Sequence, residues 1–270
     1  MDAIKLGPLV VPMQVALLLA SILLANGIAA WFRREQSLDP GPILWKMTLF
    51  GFGLARLSFV LRHHDVYFST PVSILDFRDG GVDSLAGFAA AFVAGAALTK
   101  RSTALRRPLS IATLAGCVFF LAGTLFNQTL LPAQAPVPPV ELRRLDGSTV
   151  SLNKFVGRPL IINLWATWCP PCRREMPVLK SAQQAHPEVE FVFVSQGESA
   201  DTVRQYLSAQ GLQMSNVTID PAKQLSTRTG SSGYPTTLFY DTKGRLSSRH
   251  MGELSAATLE DKINQLLDVR

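Results

Sequence analysis

The sequence predicts two domains of different fold class, a helical membrane domain followed by an α/β domain. Charge is distributed unevenly: residues 1–135 carry 11 Lys/Arg and 7 Asp/Glu, whereas residues 136–270 carry 15 and 13. The first half contains long uncharged runs, and the second alternates short apolar runs with helical patterns. The net charge of +6 divides into +4 for the first half and +2 for the second, so no basic patch points to nucleic acid as a partner.

Four segments of the first half are predicted to cross a lipid bilayer. About 20 apolar residues span the hydrocarbon core, and Leu9–Phe32 and Pro108–Leu131 each run 24 residues without a charge. Ile43–Leu61 contains two basic residues, and Val82–Leu98 is rich in the small residues that let membrane helices pack closely. We therefore expect about four transmembrane helices in a domain over residues 1–131.

The basic residues of the connections predict the orientation of these helices. Cytoplasmic loops carry an excess of Lys and Arg. Such residues follow the first and third spans, namely Arg33, Arg34, Lys100, Arg101, Arg106 and Arg107. In the connection between the second and third spans, acidic residues offset the basic ones. Both termini, and with them the second domain, are therefore expected outside the cytoplasm.

The second half predicts a sheet covered by helices. Residues 132–139 are rich in proline and favour an extended spacer, so the α/β domain is expected over residues 140–270. Apolar and β-branched runs predict strands at Pro159–Trp165, Val189–Ser195, Thr236–Tyr240 and Leu246–Met251. Helical patterns occur at Cys172–Ala185, Ser199–Gln210 and Ala256–Leu267. This alternation is typical of an α/β fold.

Two cysteines, Cys169 and Cys172, stand between the first of these strands and the first helix. A zinc site needs four ligands, but Cys117 lies in a predicted membrane span and no His is near Cys172. Haem attachment needs a His after the second Cys, where this chain has Arg173. The pattern therefore favours a redox-active dithiol, with a static disulfide or two buried thiols as the alternative.

The position of the pair at a helix start favours reactivity. Unpaired N–H groups and the helix dipole stabilise a thiolate there, and Pro171 is tolerated in a first helical turn. We expect Cys169 to be the exposed nucleophile and Cys172 the resolving thiol.

The segment NLWATWCPPCRREMP resembles the active site of thioredoxin-fold proteins, and most closely the membrane-tethered thiol–disulfide oxidoreductases of the TlpA, ResA and CcmG type. GYPTT at 233–237 resembles the loop whose proline is cis and faces the dithiol. The resemblance thus implies that Pro235, with its neighbours Tyr234 and Thr236, contacts the substrate. Trp168 is expected in the same substrate-binding set and, because it is next to Cys169, to shield the dithiol, with a simple core aromatic as the alternative. It implies no metal and no cofactor beyond the redox-active disulfide.

The proton-transfer group differs from that of thioredoxin itself. Asn163 matches the position of thioredoxin's buried Asp, and an Asn cannot accept a proton. Glu175 and Glu198 are candidates for the missing base, with solvated surface carboxylates as the alternative. Arg174 and its neighbour Arg173 either lower a thiol pKa or simply form an exposed helical face.

The resemblance implies a protein-disulfide reductase that acts on disulfide-containing exported proteins, with cytochrome c maturation among the processes it fits. An oxidase or isomerase of the same fold remains an alternative, as does a lipid-binding docking protein with a vestigial redox domain. A reductase outside the cytoplasm needs electrons. Because Cys117 is the one cysteine of the membrane half, we expect a separate membrane thiol donor.

The membrane half carries a second resemblance. LGPL, FGFGLARLSFVL and the segment ending in RDGG resemble the amino-terminal part of prolipoprotein diacylglyceryl transferase. The His of that family's His-Gly-Gly motif is missing from GGVDSLAGF, so we interpret this half as an anchor or docking surface in the bilayer. Arg56 matches a family arginine and is expected at a phospholipid headgroup, unless it pairs with Asp76, Asp79 or Asp83.

Overall fold

The computed structural model describes two compact units, divided between Leu131 and Pro132. The residues that it describes are 3–6, 9–64, 67, 74, 80–100, 102–130 and 135–268. The first unit is mainly helical and the second is an α/β sheet domain, as the sequence predicts.

The described residues of the first unit include four apolar helices. They are α1 (Met13–Gln36), α2 (Gly41–Arg62), α3 (Ser84–Leu98) and α4 (Thr103–Leu130). By length and composition, α1, α2 and α4 can each cross a membrane. With 15 residues, α3 extends only about 22 Å, less than the roughly 30 Å of a hydrocarbon core. The part of the chain that the structure describes therefore has three helices of full spanning length and one shorter apolar helix.

The first helix begins later than the sequence predicts. Leu9–Pro12 is a strand, β2, that pairs antiparallel with β1 (Ala3–Leu6), and α1 starts at Met13. The segment LVVP is β-branched and ends in proline. The two valines favour an extended strand, and Pro12 cannot stand in a helix interior, so a helix is expected to begin close to this residue.

Small residues allow α2 and α3 to pack closely. A Cβ atom added at Gly51 would lie 2.8 Å from the Gly87 carbonyl oxygen, and one added at Gly87 would lie 2.8 Å from the Ala55 Cβ. Both approaches are too short for any side chain larger than hydrogen. The Gly/Ala texture of α3 is thus explained by backbone contact with α2.

Arg56 is buried within the first unit. Its guanidinium donates hydrogen bonds to the carbonyl oxygens of Gly81 at 2.7 Å and Ile74 at 3.0 Å, and it lies over the Tyr67 ring. Asp83, one of its expected partners, instead pairs with Arg62 at 2.8 Å. The other two expected partners, Asp76 and Asp79, lie outside the described residues. The contact of Arg56 with a phospholipid headgroup stays a prediction.

The second unit is built on a seven-stranded sheet in the order β4-β3-β7-β6-β5-β8-β9. The strands are β3 (Glu141–Arg144), β4 (Thr149–Ser151), β5 (Leu160–Trp165), β6 (Glu190–Gln196), β7 (Val217–Asp220), β8 (Thr236–Tyr240) and β9 (Leu246–Met251). The helices are α5 (Pro170–Ala185), α6 (Ala200–Ala209), α7 (Gln224–Thr229) and α8 (Ala256–Asp268). Strand β5 runs parallel to β6 and antiparallel to β8.

Every residue of β5 is buried, because core side chains cover both faces of the sheet. One core cluster contains Ile161 and Trp165 and includes residues of α5, α6 and α8. The other contains Leu160, Ile162 and Leu164. A strand buried on both faces reads as a continuous apolar run, which is why β5 is recognisable in the sequence.

Part of the predicted spacer belongs to the sheet domain. The Val137 N–H donates to the Gly244 carbonyl at 2.9 Å, and the Leu246 N–H donates to the Ala135 carbonyl at 2.9 Å. Pro136 forms an isolated bridge with Arg245, which suits a proline because it occupies an edge position. Residues 132–134 of the predicted linker lie outside the described residues.

Candidate active site

The two cysteines form a disulfide at the start of α5, with their Cα atoms 5.3 Å apart. Cys169 is the N-cap residue, and its sulfur accepts a hydrogen bond from the Cys172 N–H at 3.3 Å. Pro170 and Pro171 fill the first turn, where a missing N–H is not needed for the helix. The chain therefore places Cys169 among the unpaired N–H groups of a helix start, where a thiolate is favoured over a thiol.

The expectation that Cys169 is exposed is wrong for this disulfide form. Cys169 is only 3% exposed and Cys172 is fully buried. Both pack in the core cluster that contains Trp165 and Met176, so the end of β5 and the first turns of α5 cover the sulfurs. Of the two residues, Cys169 is still the more accessible.

Trp168 and Tyr234 form an aromatic rim at the same end of the sheet as the disulfide. Their ring centroids lie 6.2 Å apart in an edge-to-face arrangement, and Trp168 is 64% exposed. The exposed ring argues against the alternative of a core aromatic, and the shielding of the dithiol by Trp168 stays a prediction. Trp165, by contrast, is a fully buried core residue.

The Tyr234–Pro235 peptide bond is cis, as the resemblance implies. The register of β5 against β8 places Leu164 opposite Thr236. The loop that contains Pro235 therefore lies at the carboxyl end of β5, where the cysteine segment begins.

Glu175 is a buried carboxyl group, and the alternative of a solvated surface residue is wrong for it. It is fully buried and lies one helical turn after Cys172. Its Oε1 accepts a hydrogen bond from the Asn163 Nδ2 at 2.8 Å, and its Oε2 accepts one from the Leu254 N–H at 3.1 Å. Burial is the largest influence on this carboxyl and raises its pKa to about 8, although both hydrogen bonds favour the ionised form.

Asn163 links Glu175 to the strand that carries the cis-proline loop. Its Nδ2 also donates to the Thr237 Oγ1 at 3.0 Å, while its buried Oδ1 has no hydrogen-bond partner among the described residues. The sequence identified Asn163 and Glu175 separately. The hydrogen bond from Asn163 to Thr237 and the one from the Leu254 N–H to Glu175 could not be predicted from the sequence, because both depend on tertiary packing.

Glu198 has a different environment. Its carboxylate accepts hydrogen bonds from the Thr167 N–H at 2.9 Å, the Thr167 hydroxyl at 2.5 Å and the Ser195 hydroxyl at 2.6 Å. These contacts hold the turn between β5 and the cysteines to the end of β6. Glu198 thus positions the loop, and its oxygens are occupied by neutral donors.

The two arginines after Cys172 are exposed, which agrees with the expectation that they form an exposed helical face. Arg173 lies over the Tyr206 ring at 5.8 Å, and Arg174 forms an ion pair with Glu253. Among the described residues, no group of three or more His, Cys, Asp or Glu side chains could hold a metal ion.

Residues 132–267, half of the chain, match the family described as Redoxin. The chain belongs to the Redoxin family. Among its curated Redoxin-type relatives, the thioredoxin-like protein YneN of Bacillus subtilis is 31% identical over 131 residues, which cover 47% of this chain and 76% of that protein. The thiol-disulfide oxidoreductase ResA of Bacillus anthracis is 25% identical over 171 residues, which cover 62% of this chain and 98% of ResA.

Two further matches, a curated protein and a solved structure, carry the name of a thiol:disulfide interchange protein. The thiol:disulfide interchange protein DsbE of Tatumella citrea is 30% identical over 53% of this chain and 77% of its own length. The solved structure of a DsbE-like protein from Chlorobium tepidum is 26% identical, with a TM-score of 0.47, and covers 51% of this chain and 99% of that one. These matches do not support the resemblance of the membrane half to a lipid transferase.

Proposed function

We propose that this chain is a membrane-tethered protein-disulfide reductase that acts on exported proteins. The observation that carries the proposal is the Cys169–Cys172 disulfide at a helix start, one turn before a buried carboxyl group whose pKa is about 8. Perturbed titratable groups of this kind cluster at sites of proton transfer. The names of the ResA and DsbE relatives support thiol–disulfide exchange.

The exchange begins with the reduced dithiol. The Cys169 thiolate attacks one sulfur of a substrate disulfide, forms a mixed disulfide and releases the other substrate sulfur as a thiolate, which takes up a proton. The Cys172 thiolate then attacks the Cys169 sulfur and releases the second substrate thiol. Two electrons pass to the substrate, and the chain is left with the disulfide seen in the structure.

Glu175 serves as the proton acceptor for Cys172. An unperturbed cysteine has a pKa of about 8.5, close to the value of about 8 for Glu175. Transfer between groups of similar pKa is efficient in both directions. At pH 7 about a tenth of Glu175 is ionised and able to accept the Cys172 proton, and this fraction rises with pH.

The aromatic rim and the cis-proline loop form the substrate-binding surface. Trp168 presents an exposed ring beside Tyr234, and Pro235 and Thr236 lie at the carboxyl end of β5. An extended substrate segment would lie along this loop with its disulfide facing Cys169.

The membrane half holds the redox domain outside the cytoplasm of a bacterial inner membrane. Trp31 and Trp45 are exposed near the connection between α1 and α2, where Arg33 and Arg34 also lie. Aromatic and basic residues together favour a cytoplasmic membrane interface. A separate membrane protein supplies electrons to the dithiol, since Cys117 has no second cysteine in this half.

Trapping of substrates tests this function. The Cys172→Ser variant of the full chain should accumulate mixed disulfides in cells, because the resolving thiol is absent. The matched Cys169→Ser variant should accumulate none. In the reduced wild-type protein, Cys169 should alkylate faster than Cys172 at neutral pH. Equal alkylation rates together with no trapping by either variant would exclude the mechanism.

A further inference from the structure

An ion pair joins the two chain segments that hold Glu175. The Arg174 Nε lies 3.1 Å and 2.9 Å from the two Glu253 oxygens, and its Nη2 lies 2.6 Å from Oε2. Arg174 immediately precedes Glu175 on α5, and Glu253 immediately precedes Leu254, whose N–H donates to the Glu175 carboxyl. The fork-shaped contact therefore fixes the segment after β9 to the active-site helix at the point where both meet the buried carboxyl.

We propose that Arg174 and Glu253 form a latch whose two opposite charges balance each other beside Glu175. Both are positioning residues, since neither is placed at the reacting sulfurs. The proposal rests on the proton-transfer role proposed above for Glu175 and names the residues that tune that role.

Opposite charges of the latch act on Glu175 in opposite directions. The Glu253 carboxylate repels an ionised Glu175 and raises its pKa, in addition to the larger effect of burial. The Arg174 guanidinium is bound to that carboxylate and carries the opposite charge, so by Coulomb's law it should offset the repulsion. The Glu175 carboxyl also accepts hydrogen bonds from the amides of Asn163 and Leu254, and both favour the ionised form.

Both side chains of the latch can be substituted without disturbing the packing of the core. The Arg174 side chain is 48% exposed and that of Glu253 20% exposed. Glu253→Gln removes the repelling charge, so the titration midpoint of Glu175 should fall. Arg174→Gln leaves Glu253 uncompensated, so the midpoint should rise. Each shift should be on the order of half a pH unit, given partial screening by solvent, and the double variant should return close to the wild-type midpoint.

The test is an infrared titration of the oxidised full chain in detergent. The band of the protonated Glu175 carboxyl is identified by its loss in Glu175→Gln, and its midpoint is measured in the two single variants and the double variant. The matched control is the Arg158–Glu190 pair, with side chains 51% and 23% exposed and a contact at 3.4 Å. That pair lies at the amino end of β5, away from the cysteines, so Arg158→Gln and Glu190→Gln should leave the midpoint unchanged.

Opposite shifts from the two latch variants, absent from the control pair, support the proposal. Shifts in the same direction, no shift, or equal shifts from the control pair overturn it. If a single variant does not fold by circular dichroism, the exchanged pair Arg174→Glu with Glu253→Arg should restore the wild-type midpoint, and a failure to do so also overturns the proposal.

The pH profile of disulfide reduction separates the latch from the function on which it rests. In each latch variant, the pH profile should shift in the same direction as the infrared midpoint of Glu175. A midpoint that moves while the reduction profile stays fixed would support the latch and refute the proton-transfer role of Glu175.

Discussion

Replacing Glu175 with Gln should make the second unit more stable at neutral and mildly alkaline pH. The pKa of this carboxyl is raised from 4.5 to about 8 in the folded protein. Between these values the folded state keeps a proton that the unfolded state has lost, so stability falls as pH rises, by about 1.4 kcal/mol per pH unit. From pH 5 to pH 8 the free energy of unfolding falls by about 4 kcal/mol. Glu175→Gln removes this pH-dependent loss, because the Gln side chain does not titrate.

The hydrogen bonds offset part of this gain. The Gln oxygen can still accept from the Leu254 N–H, but its amide opposes that of Asn163, and the lost bond costs about 1 kcal/mol. A net gain of about 3 kcal/mol at pH 8 should raise the midpoint of thermal unfolding by roughly 10 °C. The same variant should slow disulfide reduction about 10²-fold, because the proton acceptor is absent.

The assay is thermal unfolding of the oxidised full chain in detergent at pH 5, 7 and 8, followed by circular dichroism. Glu141→Gln, on an exposed position of β3, is the control and should keep the wild-type pH dependence. A Glu175→Gln variant with the wild-type slope, or one less stable than wild type at pH 8, would refute the assignment of a neutral buried carboxyl.

Three further predictions concern the membrane half. A phosphatase reporter fused after the carboxyl terminus should be active, and one inserted in the connection between α3 and α4 should be inactive; the reverse pattern would place the dithiol in the cytoplasm. Cys117→Ser should leave the redox state of the dithiol in cells unchanged, whereas loss of the membrane donor should leave it oxidised; a block of re-reduction by Cys117→Ser alone would make this half a relay. Gly87→Val should lower the thermal stability of the first unit by about 1–3 kcal/mol, because its Cβ would lie 2.8 Å from the Ala55 Cβ, while Gly53→Val, with open space around it, should have little effect.

The sequence predicted the elements whose pattern reflects burial. Strand β5 is largely apolar, helices α1 and α4 each contain a long uncharged apolar run, and α2 is interrupted only by Lys46 and Arg56 before its last residue. These elements could therefore be predicted directly from the sequence. Strand β3 reads ELRR and has one buried residue, Leu142, so its apolar pattern is too short to detect.

The two active-site cysteines could be predicted from their spacing and their place at a helix start. The burial of Glu175 could not be predicted from the sequence, because a single Glu among charged neighbours on α5 is typical of an exposed face. Only the packing of the segment after β9, which brings the Leu254 amide onto this carboxyl, creates its environment. The same holds for Cys169, whose burial depends on the residues packed around the disulfide.

The reduction potential of the Cys169–Cys172 pair tests the proposed reductase most directly. It can be measured on the full chain by equilibration with glutathione or dithiothreitol buffers and alkylation of the free thiols. A reductase predicts a potential near the roughly −270 mV of thioredoxin. A value near the roughly −120 mV of a strong thiol oxidant would contradict reduction and make this chain a donor of disulfides.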